Sequence, residues 1–214
     1  MKNTERPVGQ NKFLRFWAKT LSFVINPNIC QFFLFVYFIS TTPSYILNSL
    51  LFLFVVPFGG YVVYVRFWLK RSNLYVLERK YRYVPFIMNI ASVVAFCLIS
   101  IFCYEVYARF EVYFLLFINL VAFLITFFWR ISIHMLASSA AYALVYYGHQ
   151  TQSKPVGGVW LAALALLVVA VGWSRYYLRG HTLNQIVGGT LTGFGCFAFF
   201  KTLELDAYFE KLFF

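Results

Sequence analysis

Two of the chain's three histidines, His134 and His181, stand in segments that also carry hydroxyl and guanidinium side chains. His181 closes the run Ser174-Arg175-Tyr176-Tyr177-Leu178-Arg179-Gly180-His181, and Gln185 follows four residues later. Residues i and i+4 share a helical face, so the Gln185 carbonyl oxygen can accept a bond from one ring N–H and fix the tautomer. The other ring nitrogen then presents its lone pair to an electrophile. A helix N-terminus at this point, with Arg175 and Arg82 nearby and Ser132 as a hydroxyl donor, makes a site for a multiply charged oxyanion such as phosphate. His134 can protonate a departing oxygen. Positioning and charge stabilisation supply most of the catalysis of phosphoryl transfer, so this set needs no cofactor, and no metal is expected. Axial ligation of a haem is the competing use of the two histidines, but it leaves the flanking serines and arginines without a role. No charged residue lies mid-span to mark a channel.

The elements that hold these residues follow from composition. Of 214 residues, 62% are hydrophobic and 12% charged, against roughly 25% charged in an ordinary soluble domain. That excludes a water-soluble globule, and apolar runs continue from Leu21 to Phe200. A spanning helix needs about 20 apolar residues, and candidates lie near 21–42, 45–66, 85–107, 111–130, 134–148, 157–173 and 182–202. The first is interrupted by Asn26-Pro27-Asn28, which predicts an interfacial turn of helix followed by a short span. The expected fold is therefore all-α, a multi-pass transmembrane helical bundle of six to seven helices. Residues 1–20 form a basic N-terminal segment and 21–214 a single integral membrane domain. Small residues gather in the last three spans, including Gly189-x-x-x-Gly193, which lets helix backbones approach closely. Cys30, Cys97, Cys103 and Cys196 have no metal-ligand spacing and read as packing residues.

The formal charge of +11 is unevenly spread. If each span crosses once, the N-terminus, the 66–84 loop, the 130–134 junction and the 174–181 loop share one face. That face carries fourteen of the 18 Lys and Arg, so the positive-inside rule makes it cytoplasmic. Both His134 and His181 fall on it at one depth. Basic residues confined between apolar spans argue for membrane topology and against nucleic acid as a partner.

At these residues the chain resembles the type 2 phosphatidic acid phosphatase superfamily, in a form similar to a short bacterial branch. Ser174, Arg175 and His181 meet the third motif, S-R-x5-H-x3-D, with Gln185 where the family usually has Asp. Ser132-Ile133-His134 matches the end of the second, P-S-G-H. Arg79-Lys80-Tyr81-Arg82-Tyr83-Val84-Pro85 offers basic residues in place of the first, K-x6-R-P. The resemblance implies a membrane phosphatase acting on a phosphorylated lipid, in a bacterial inner membrane, through a phosphohistidine on His181. It implies His134 as general acid and then base. Arg175 with Ser174, Ser132, Arg82 and Arg79 would hold the phosphate, and Gln185 would orient His181. A neutral Gln orients an imidazole without stabilising the imidazolium as Asp does, which implies a lower rate or a relative that binds or transports anionic lipid without turnover.

Overall fold

A computed structural model describes residues 11–39, 47, 50–70, 83–104, 110–151 and 156–203. All regular structure among them is helical, in eight helices: α1 Lys12–Val24, α2 Pro27–Ile39, α3 Leu51–Trp68, α4 Tyr83–Tyr104, α5 Phe110–Phe128, α6 Ile133–Gln150, α7 Gly158–Tyr177 and α8 Leu183–Thr202. The all-α expectation holds. Three of these, α3, α7 and α8, are long and apolar enough to cross a membrane, while Tyr83–Ile99 and Tyr113–Phe128 are apolar over shorter lengths. The predicted 134–148 span coincides with α6, whose serines and His134 lower its hydropathy because it lies inside the bundle. Nine of its residues are buried.

The break foreseen at Asn26-Pro27-Asn28 is present. The side chain of Asn11 caps α1 by accepting from Phe13 N at 2.9 Å, and the helix is strongly amphipathic. Phe13, Phe16, Trp17 and Phe23 are exposed, whereas Ala18 and Ser22 are buried. Pro27 has no N–H to donate and so is tolerated where α2 begins, and the Asn26 carboxamide accepts from Asn28 N at 3.0 Å. α1 runs across the division expected at residue 20 and packs along α7. Its Ser22 thereby reaches the far end of the chain.

The tightest packing is between α6 and α8, through the small residues seen in the sequence. A methyl group added at Gly189 would come within 2.5 Å of the Ser132 carbonyl oxygen, and one at Gly193 within 2.5 Å of that of Leu136. Neither neighbour is a flexible side-chain end, so α8 would have to move away from α6. Gly193→Ala is expected to destabilise the protein by about 1–3 kcal/mol, read as a lower unfolding temperature in detergent. Gly195→Ala, where the new methyl meets open space, leaves it unchanged.

Candidate functional site

The turn between α7 and α8 is built from the Ser174–His181 run. Arg179 adopts a left-handed conformation, φ 52°, and reverses the chain. The last carbonyls of α7 are then used: Leu178 N bonds to Ser174 O at 3.0 Å, and Gly180 N and His181 N both bond to Arg175 O, at 3.1 and 3.4 Å. A side chain at Gly180 would press on the Arg175 guanidinium, 3.0 Å from Nη2. Immediately after the turn, Thr182 and Gln185 form a capping box at the start of α8.

His181 thus sits one residue ahead of a helix N-terminus, and its Nδ1 lies 3.2 Å from Gln185 Oε1. The Thr182 N–H donates to the same oxygen at 3.1 Å, which identifies that end of the carboxamide as the acceptor. Nδ1 therefore carries the proton and Nε2 the lone pair. The i, i+4 geometry expected from sequence is present, and Gln185 has the further task of capping the helix that follows.

The second histidine comes from the start of α6. Ser132 N donates to Gln185 O at 3.0 Å, which ties the 130–134 junction to α8 and sets the two motif segments side by side. Ser132 is fully buried and its hydroxyl has no hydrogen-bond partner among the described residues. His134 Nε2 is 3.0 Å from the Ser22 carbonyl oxygen; a carbonyl only accepts, so Nε2 is the protonated nitrogen. Arg175, buried in the last turn of α7, donates from Nη1 to the Ser22 hydroxyl at 2.5 Å. One residue of α1 therefore holds both a histidine and an arginine of the site.

His134, His181, Arg175, Arg130 and Ser22 line a single cavity of about 450 Å³. Its deeper walls come from α2 to α6 and are mainly apolar, with Leu34, Phe58, Phe86, Ile118 and Leu144 among them. Arg130 donates from Nη2 to the Gly180 carbonyl at 3.3 Å, while its Nε is buried without a partner. The charged mouth can take a phosphate and the greasy interior a hydrocarbon chain.

Ser174, like Ser132, lies outside the cavity lining. It is fully buried, and its hydroxyl donates to Val171 O at 2.8 Å on its own helix. Arg79 and Arg82 lie outside the described residues. His149, in α6, accepts from Val156 N at 3.3 Å at the opposite end of that helix. Ser22 escaped sequence reasoning. The available signal was its place, with Lys12, Arg15 and Lys19, on the polar stripe of α1 at spacings of i, i+3, i+7 and i+10.

These features define a helical membrane-type protein with a histidine–arginine site at the end of its bundle. Residues 127–208 match the model of the PAP2 superfamily, a group of phosphatases with a helical membrane fold. The matched segment contains His134, Arg175, His181 and Gln185, so the resemblance read from the second and third motifs is borne out there. The basic 79–85 segment falls outside it. No curated protein and no solved structure matches the chain.

Proposed function

We propose that the protein is a membrane-embedded lipid phosphate phosphatase, acting on a lipid phosphate monoester or an isoprenoid diphosphate through a phosphohistidine. The carrying observation is that His181, His134, Arg175 and Arg130 line one cavity whose remaining walls are mainly apolar. His181 Nε2 attacks phosphorus, and the bond from phosphorus to the leaving oxygen breaks. His134 enters as the imidazolium, its Nε2–H held by the Ser22 carbonyl, and gives that oxygen the proton on Nδ1. Water then attacks the phosphohistidine with His134 as base, releasing phosphate and restoring His181. Arg175 and Arg130 hold the phosphoryl oxygens, with Arg79, Arg82 and the Ser132 hydroxyl as the further contacts that the resemblance implies. Ser174 acts indirectly by fixing the last turn of α7. The partners are the bilayer and its phosphorylated lipid, and nucleic acid is not among them. The concentration of Lys and Arg on the motif-bearing face supports a cytoplasmic site in a cell membrane, the bacterial inner membrane being the setting the resemblance suggests.

Purified protein, without added divalent metal, is expected to release inorganic phosphate from at least one member of a panel of lipid phosphate monoesters and isoprenoid diphosphates. Release from none would sink the reading. A second reading, a weak or silent relative that binds or transports anionic lipid, is favoured by the neutral Gln185 beside His181. Gln185→Asp separates the two. The carboxylate keeps an acceptor for His181 and adds charge for the imidazolium, so a weakened enzyme gains turnover, tenfold or more. The ceiling is the factor of about 10⁴ that the reverse change costs in a serine protease triad. Lipid binding with no turnover in either form identifies a binder.

A further inference from the structure

Beneath the mouth, α2, α4 and α5 bring three carboxamides together on the cavity wall: Gln31, Asn89 and Asn119. Asn119 Nδ2 donates to the Leu115 carbonyl of its own helix at 2.7 Å, which settles which end of that side chain is oxygen. Its Oδ1 then accepts from both neighbours, from Gln31 Nε2 at 3.1 Å and Asn89 Nδ2 at 2.5 Å. With both nitrogens turned to Asn119, Gln31 Oε1 and Asn89 Oδ1 are left buried without a hydrogen-bond partner among the described residues. Turning either carboxamide over would set oxygen against oxygen at Asn119, so the arrangement leaves acceptors and not donors. The residues are only 6% and 9% exposed. Buried polar groups are ordinarily satisfied, and two unsatisfied acceptors lining one cavity mark a place for a ligand.

The position narrows what that ligand is. Tyr83, at the start of α4, stacks on Phe127 at 4.8 Å between ring centres, close in sequence to the mouth residue Arg130. Asn89 lies further along α4, roughly 9 Å deeper at about 1.5 Å per residue. By the same rise Asn119 lies roughly 12 Å below Phe127 on α5, so the carboxamides meet the part of the lipid that follows its phosphate. Among the described residues no carboxylate lines the cavity and two arginines do, so a cation is disfavoured there. We propose that Gln31 and Asn89 form a recognition subsite for a neutral hydrogen-bond donor, a hydroxyl or amide N–H, carried by the lipid just below its phosphate. Asn119 is the positioning residue that turns both carbonyl oxygens toward the ligand. The inference rests on the lipid phosphate reading above and sharpens it: lipids bearing such a donor are preferred over diacyl esters and isoprenoid chains, which have none at that level. A site built to bond a donor rejects an analogue lacking it because its own polar groups are then stranded.

The probes are a long-chain alkyl phosphate with a hydroxyl on its second carbon and the matching methoxy compound. Binding is read from the thermal shift of the full chain carrying His181→Ala, which binds without turnover, and phosphate release is measured on the unmodified protein. At least tenfold tighter binding of the hydroxy lipid is expected. Gln31→Leu and Asn89→Leu should erase that preference while leaving the affinity for the methoxy lipid in place. Equal binding of the two lipids overturns the proposal, as does a preference that persists in both variants. If neither variant folds, the lipid pair on the chain with its carboxamides intact decides the matter. Donor-selective binding without phosphate release from either lipid removes the hydrolytic reading and keeps the subsite. Release at equal rates with equal binding removes the subsite and keeps the hydrolysis.

Discussion

Replacing His181 with alanine is expected to lower phosphate release from a lipid phosphate by roughly 10⁴-fold or more, with the fold intact. The loss is large because no second group in the described site can accept the phosphoryl group in its place. His134 is committed to proton transfer through Nδ1, its Nε2–H being held by the Ser22 carbonyl, and guanidinium groups are not nucleophiles. The fold survives because the start of α8 does not depend on the imidazole. In the alanine variant Thr182 and Gln185 keep their reciprocal capping bonds, and Ser132 N remains on Gln185 O. The measurement is phosphate release against unfolding temperature in detergent, for the parent and the variant. A variant that turns over at the parent rate removes the phosphohistidine. A variant that loses both rate and stability shows instead that His181 holds the turn together. His181→Asn, which retains a polar group at this position, distinguishes the cases further: it is expected to be as inactive as alanine.

Much of this site could be read from the sequence because its parts are local. The spacing of His181 and Gln185 specified a bond that the helix geometry provides, and Gly189-x-x-x-Gly193 specified the approach of α8 to α6 that sets His134 beside His181. The structure adds the capping box of Thr182 and Gln185, which explains why a glutamine is useful here apart from catalysis. What the sequence hid depends on tertiary placement. Ser22 belongs to an amphipathic helix that looked like a surface element, and its role exists only because α1 lies along α7. Gln31, Asn89 and Asn119 come from three separate helices, and a single Asn or Gln in an apolar span gives no hint of its partners. Ser174 illustrates the opposite error of expectation. It occupies a motif position, yet in the last turns of a helix a serine hydroxyl readily bonds to a preceding carbonyl, and this one does so. Arg130 likewise has its place only in the tertiary structure, where it reaches across to the Gly180 carbonyl.

Arg175→Lys is expected to lower kcat by roughly 10²–10³-fold, the usual cost of removing an oriented donor from a developing oxyanion. The charge is conserved, so the loss measures geometry. A guanidinium presents a rigid fork that can bond a phosphate and Ser22 at once, whereas an ammonium is a point charge on a flexible stem. Ser22 supplies the orientation: its hydroxyl accepts from Arg175 Nη1 and its carbonyl accepts from His134 Nε2. Ser22→Ala removes the first contact and keeps the second, because the carbonyl belongs to the backbone. Its expected effect is smaller, about tenfold in kcat/KM, and falls mainly on KM, since the arginine then samples orientations that no longer meet the phosphate. The double variant decides whether Ser22 acts through Arg175. If it does, Ser22→Ala costs nothing further once Arg175 is lysine, and the two losses are not additive. If the losses multiply, Ser22 acts on the site by another route, through the way α1 packs against α7.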